Sequence, residues 1–302
     1  MKLTAKSVRG YLLGTMGAAA YGLNPLFALP LYADGLDAGS VLMLRYILSV
    51  PVIGIPLLWR QGLAGLRIGM RQGTILFAMG TLIALSSLAL FDSYNYMDAG
   101  VASTLLFVYP IMVAVMMTAC YGEKLPLSTW LCILGALGGI ALLGKTASGE
   151  RLSGIGTLLV MASSLLYALY IVMVNRSRLN NMPPLTVIFY VLLFGSATLL
   201  VNLGFTGRMI VPSEPLLWVN VLGLAIFPTA ISFGATTAAI QAIGATRTAI
   251  LGALEPLTAV VVGAMVFGEQ LTLRISMGIL LILVSVSLVV AAPMLKAGRR
   301  RT

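Results

Sequence analysis

The chain has 302 residues, no histidine, two cysteines and 9% charged residues. Each shortage excludes something. Without histidine, Cys120 and Cys132 alone offer no ligand set for zinc or another transition metal, so no metal site is expected. Two thiols in so long a chain make no disulfide framework, and both read as small buried residues. Soluble globular proteins carry about 25% charged residues. A chain with 9% charged and 59% hydrophobic residues has too few charges to cover a water-facing surface. With no histidine, enzymatic chemistry would fall to Ser/Lys or paired carboxylates, and every lysine lies near a span end or in a tail. No catalytic residues and no cofactor are expected.

What the chain does have is apolar runs of about 20 residues, the length that crosses roughly 30 Å of hydrocarbon. Ten are expected: 8–31, 36–58, 72–91, 99–121, 129–144, 154–174, 184–203, 216–239, 245–267 and 273–292. The first is longer than the 7–15-residue core of a signal peptide and reads as a membrane helix. Short turn-rich stretches such as YADGLD, DSYNYMD and YGEKLPLS separate the runs, and none is long enough for a soluble domain. The fold class expected is an all-α integral membrane protein of ten transmembrane helices.

The net charge of +10 would suit a nucleic acid, but its distribution argues for topology. With the N-terminus placed inside, inner segments hold fourteen Lys and Arg and outer segments four, with Arg45 left within a span. That is the positive-inside pattern. Both termini are expected on the cytoplasmic face of a bacterial inner membrane, with 293–302 as a basic tail. The partners expected are a small-molecule solute and membrane lipid, with no nucleic acid. The chain is expected to be a monomer or weak dimer.

A shift of 146 residues aligns the halves without a gap. Gly122-Glu123 falls on Gly268-Glu269, Leu125 on Leu271, Pro110 on Pro256, Tyr21 on Tyr167 and Gly10 on Gly156. The repeats expected are 8–146 and 154–292. Each holds five spans, an odd number, so the second enters the membrane inverted. Inverted repeats place a solute site near mid-membrane between them.

The ends of the halves, VYPIMVAVMMTACYGEKLPLSTWLCILGALGGIALL and ALEPLTAVVVGAMVFGEQLTLRISMGILLILVSVSLVV, resemble the EamA-type repeat of the drug/metabolite transporter superfamily. YGLNPLF from Tyr21 and RYIL from Arg45 resemble that family's first- and second-helix segments. The resemblance covers nearly the whole chain. It implies a secondary transporter, with export of amino acids or related metabolites favoured. The same fold also serves drugs, sugars and lipid-linked groups, and a non-transporting ligand sensor is the alternative of another class. Energy is expected from gradients or exchange. The copies differ in places: Tyr109 stands where the second half has Glu255, and Val191 where the first has Arg45.

Glu255 carries the chemistry most plainly. An acidic residue at a helix centre costs about 2.5–3.5 kcal/mol on the insertion scale, and about nine Leu, Ile, Val or Phe residues offset it by roughly 2.7–5.4 kcal/mol. The span still inserts, and its carboxylate is expected to meet a solute or a proton. Pro256 removes an N–H and crowds the Gly252 carbonyl four residues earlier, and Tyr109-Pro110 repeats the kink. Arg45 is expected to receive a carboxylate, and a pair with Glu255 across the cavity is geometrically open. Tyr21, Asn24, Ser86, Tyr167, Tyr170, Ser232 and Thr236 complete the expected substrate-binding set with Tyr109. Trp59, Trp130, Trp218, Tyr94 and Tyr96 read as interface anchors. Small-residue stripes at Gly10, Gly14, Ala18 and Gly22, at Gly135 and Gly139, and at Ala230, Gly234 and Ala238 read as helix-packing surfaces.

Overall fold

The computed structural model describes residues 5–97, 99–143, 153–177, 179, 182–206, 209–266 and 273–298. Among them the chain is helical and no strand occurs. The helices are α1 (Ala5–Tyr21), α2 (Asn24–Ala33), α3 (Ala38–Gln61), α4 (Met70–Ser93), α5 (Ala99–Leu106), α6 (Tyr109–Tyr121) and α7 (Leu127–Leu143). They continue as α8 (Gly154–Arg176), α9 (Pro184–Thr206), α10 (Leu217–Ala225), α11 (Ser232–Ile243), α12 (Ala245–Leu251), α13 (Leu254–Val266) and α14 (Leu273–Gly298). A π-helical stretch, Ile226–Ile231, joins α10 to α11.

Among the described residues, seven helical stretches are long and apolar enough to cross a membrane: Ala5–Ala33, Ala38–Leu66, Met70–Ser93, Gly154–Arg176, Pro184–Phe205, Leu217–Ile243 and Ala245–Val266. Shorter apolar helices cover Tyr109–Tyr121, Leu127–Gly139 and Ser276–Ser285. Their outward faces carry large exposed hydrophobics such as Leu12, Phe77, Leu131, Phe205 and Leu280. Such a surface suits lipid, and the chain is a multi-pass membrane protein.

Local chemistry sets the helix ends. Asp37 caps α3 by accepting from the Ser40 N–H at 3.2 Å, and Ser153 caps α8 by accepting from the Gly156 N–H at 3.3 Å. Gly122 ends α6 at φ 65°, a left-handed geometry that favours glycine. The Glu123 N–H then reaches the Met117 carbonyl at 3.0 Å. The first Gly-Glu pair thus forms a tight turn; Gly268-Glu269 lies outside the described residues. Helix α14 runs on to Gly298, so the expected tail begins as helix.

Four of the expected spans are interrupted. The first breaks at Gly22-Leu23, just before Pro25, and the fourth at Phe107-Val108, just before Pro110. The eighth unwinds around Pro228, and the ninth breaks at Gly252-Ala253. Proline is the shared cause, because it lacks the N–H that would continue the ladder. The first and eighth breaks have no counterpart 146 residues away: α8 and α4 run straight through Ile171 and Leu82.

The two sequence halves interlock. The five most extensive helix interfaces all join one half to the other: α7 with α14, α1 with α11, α4 with α8, α4 with α9 and α3 with α9. They obey the 146-residue shift. The α1–α11 contact maps onto α8–α4, while α3–α9 and α7–α14 map onto themselves.

Small residues allow the close approaches. A methyl at Gly10 would lie 2.7 Å from Ala242 Cβ, one at Gly14 2.6 Å from Leu251, and one at Gly139 2.8 Å from the Gly278 carbonyl oxygen. In the third stripe Ala230 is buried, but Gly234 faces nothing within 4 Å. Cys132 is buried as expected, but Cys120 is exposed, on an outward face of α6.

Gly80 gives a clean test of this packing, since an added Cβ would meet backbone, 2.7 Å from the Val191 carbonyl oxygen and 2.8 Å from the Gly195 nitrogen. Gly80→Ala is expected to destabilise the detergent-solubilised protein by about 1–3 kcal/mol through overpacking. Gly234→Ala is expected to leave the melting temperature unchanged or raise it, since alanine is the better helix former. Thermal unfolding of the two variants side by side checks this.

Candidate functional site

Arg45 is fully buried, although a charge is costly at membrane depth unless protein groups receive it. Its Nε donates to Thr229 Oγ1 at 2.5 Å, Nη1 to Asn24 Oδ1 at 2.9 Å and Nη2 to the Pro228 carbonyl at 3.0 Å. The guanidinium carbon also sits 5.9 Å from the Tyr21 ring centre, 5.7 Å from Phe91 and 5.8 Å from Phe233, within cation–π range. Its acceptors therefore belong to the broken start of α2 and to the π stretch. Those are the two irregular segments without a symmetry counterpart. Thr229 Oγ1 in turn donates to the Leu224 carbonyl at 2.7 Å. Among the described residues no carboxylate is a partner of Arg45, and it makes no ion pair with Glu255.

Glu255 is buried at the start of α13. Its N–H bonds the Gly252 carbonyl at 2.9 Å, so the acceptor released by Pro256 is satisfied within the break itself. In the first half, Pro110 releases the Leu106 carbonyl, which receives Ser164 Oγ from α8 at 3.0 Å. The same loss is met in one half by backbone and in the other by a neighbouring hydroxyl.

The Tyr109 hydroxyl reaches across the repeats. It donates to the Ala249 carbonyl at 3.3 Å and lies in hydrogen-bonding contact with the Glu255 carboxyl. One phenolic proton thus has two acceptors on the broken helix. Gly252 makes room, because a Cβ there would fall 1.7 Å from the hydroxyl oxygen. Gly22 brings the other break equally close, its missing Cβ 2.3 Å from the Glu255 carbonyl oxygen.

Tyrosines connect the charged centres. Tyr21 stacks on Tyr167 at 6.3 Å and on Phe233 at 6.0 Å, and Tyr167 meets Tyr109 edge to face at 4.8 Å. A cavity of about 20 Å³ lies among Tyr21, Asn24, Tyr94, Ser103, Leu106 and Glu255. A space of that size holds about one water molecule, far less than a metabolite.

Of the residues expected from sequence, Tyr21, Asn24 and Glu255 line this cavity, while Tyr109, Tyr167 and Arg45 stand behind them. Tyr170 stacks on Tyr167 and contacts Thr237 Oγ1 at 3.4 Å. Others belong to packing. Ser86 Oγ bonds the Ser163 carbonyl at 2.9 Å between α4 and α8. The Ser232 carbonyl and Thr236 Oγ1 lie against Gly17 of α1. Tyr94, expected as an interface anchor, lines the cavity and bonds Ser103. Thr229 and Pro228 were missed; a proline followed by a hydroxyl within the eighth span was the available signal.

Comparison with known proteins bears on this arrangement. The model of the EamA-like transporter family matches residues 8–145 and again 154–291. The chain belongs to the EamA-like transporter family. Among EamA-like relatives, an uncharacterised transporter of Archaeoglobus fulgidus is 33% identical over 63% of this chain and 66% of its own length. An uncharacterised transporter of Bacillus subtilis is 25% identical over 65% of this chain and 64% of its own length. The matches thus span just under two thirds of these two relatives. An uncharacterised transporter of Synechocystis is 29% identical over 82% of this chain and 78% of its own length. A protein of known crystal structure, 18% identical, superposes with a TM-score of 0.77 over 97% of this chain and 99% of its own, and shares the fold.

One stretch invites another reading. Residues 139–146, GIALLGKT, fit the spacing G-x-x-x-x-G-K-[ST] of a phosphate-binding loop. That motif works as a loop between a strand and a helix. Here Gly139 lies within α7, packed on Gly278 and Ile282 of α14, and residues 144–146 lie outside the described residues.

Because three donors of Arg45 serve protein acceptors, Arg45→Lys is expected to destabilise the solute-free protein by about 2–4 kcal/mol. Hydrogen bonds from a charged group contribute about 1.5–3 kcal/mol each, and lysine keeps the charge while losing the fork. Thermal unfolding in detergent gives the answer; a melting temperature equal to wild type would show that Arg45 does not brace the broken helices.

Proposed function

We propose that the chain is a secondary transporter that moves small polar metabolites, amino acids or their relatives foremost, in the direction of export. In this reading ten segments cross a bacterial cytoplasmic membrane as two inverted five-helix repeats, 8–146 and 154–292, with both termini on the cytoplasmic side. Family membership and the transporter relatives support transport. The positive-inside distribution supports the orientation.

The observation that carries the reading is the buried cavity where two helix breaks meet, lined by Glu255, Asn24 and two tyrosines. Irregular backbone at membrane depth is tolerated where protein or a polar cavity satisfies it, and transporters place solute at such breaks. Glu255 offers a carboxylate to an ammonium group or a proton. The small volume corresponds to a closed form, and opening requires the flanking helices to part. Since the largest interfaces join the sequence halves, the moving bodies each draw helices from both halves, instead of one half rocking against the other.

Solute counterflow in proteoliposomes with a panel of labelled amino acids tests this. Wild type is expected to show saturable exchange, and Glu255→Gln to lose at least tenfold of it while remaining folded. Equal exchange by both proteins would remove Glu255 from the solute path.

A further inference from the structure

Asn24 is 3% exposed and lines the cavity with Glu255. Its amide is not free to turn over. A guanidinium has donors only, so Arg45 Nη1, at 2.9 Å, must face the amide oxygen. The amide nitrogen is thereby directed away from Arg45. That nitrogen is buried and has no partner among the described residues. An unbonded buried donor is costly and rare in native proteins, which makes it a marker of a group kept for use. Pro25 follows directly and has no N–H, and Gly22 lets this end of the break lie against the Glu255 backbone. The orphan donor thus belongs to the same cavity wall as Glu255, the carboxylate that lines it among the described residues.

Charge adds direction. No Lys or Arg lines the cavity among the described residues. The positive charge lies one residue behind the wall, on Arg45, whose described hydrogen bonds go to neutral groups. In a low-dielectric interior that charge favours an anionic group at the exposed side of the amide.

We infer that Nδ2 of Asn24 is the donor that receives the solute's carboxylate. Arg45 is a positioning residue that holds the amide's orientation and supplies the field without touching solute. The inference rests on the transport reading of this cavity and names its substrate class: molecules that join a carboxylate to an amine, with the amine directed to Glu255. Selectivity for the acid then belongs to Asn24, and the arginine sets it indirectly.

Asn24→Asp separates recognition from folding. The new carboxylate still accepts from Arg45 and gives it a counter-ion, so the protein is expected to melt at or above the wild-type temperature. The cavity then presents an acceptor where it had a donor. The measurement is counterflow by the full chain in proteoliposomes of labelled leucine, threonine, phenylalanine and lysine, each beside the amine that lacks its carboxylate. Wild type is expected to favour the acid at least tenfold in one or more pairs, and Asn24→Asp to reverse that preference by a similar factor. Asn24→Leu, which removes the amide without adding charge, is expected to raise the KM for the acid at least tenfold with little change for the amine. In Arg45→Lys, where the amide is no longer fixed, the acid preference is expected to fall at least threefold among folded molecules. An Asn24→Asp protein with the wild-type preference, or a wild type that favours the amines, overturns the inference and leaves transport standing. Exchange of none of the pairs by folded wild type overturns both.

Discussion

A backbone carbonyl in hydrocarbon needs a donor, and among the described residues this protein breaks four of its helical spans. The ninth, fourth and eighth breaks are answered differently, the eighth twice. Gly252 receives the Glu255 N–H, Leu106 receives the Ser164 hydroxyl, Leu224 receives the Thr229 hydroxyl, and Pro228 receives Arg45. The last is the most demanding, because it requires a charged side chain to be buried completely. Arg45 is tolerable there because its donors meet acceptors on two broken segments and its flat faces meet aromatic rings. The rest of the site is arranged around that requirement.

The repeat explains the frame, and the departures from it explain the site. The fourth and ninth spans break at nearly equivalent positions, and α6 packs on α12 as α13 packs on α5, with Tyr109 against Glu255. Arg45, Asn24-Pro25 and Pro228-Thr229 have as counterparts Val191, Tyr170-Ile171 and Leu82-Ile83, none of which carries a charge or a proline. The polar apparatus therefore occupies one side of a frame whose other side is filled by apolar and aromatic groups. The repeat supplies the frame, and a few unmatched residues set the polarity of the candidate site.

Much of this was legible in the sequence. Apolar run lengths gave the membrane helices, and the shift of 146 gave the repeat. The carboxylate inside an apolar run marked Glu255, and Pro110 and Pro256 marked two of the breaks. What stayed hidden were partners in space. Arg45 and Thr229 are 184 positions apart, and no periodicity connects them. Which face a polar residue occupies is not written in its identity: Ser86 bonds the neighbouring helix α8, while Tyr94 lines the cavity. A stripe of small residues also lacks direction: Gly10 and Gly14 face a helix, while Gly234 faces nothing.

The interlocked halves carry a consequence for biosynthesis. Helices α1, α3, α4 and α7 find their largest partners in α8, α9, α11 and α14, which are made later. Chains lengthen at about 5–20 residues per second, so an early helix waits roughly four to forty-five seconds for the partner that covers it. Through that interval Arg45 is already in the bilayer, while Thr229 and Pro228 have yet to be synthesised. The first half must therefore stay in the membrane as loosely associated helices, its buried charge served by lipid headgroups, water or the insertion machinery. Assembly is decided only when the eighth span arrives to take hold of the arginine.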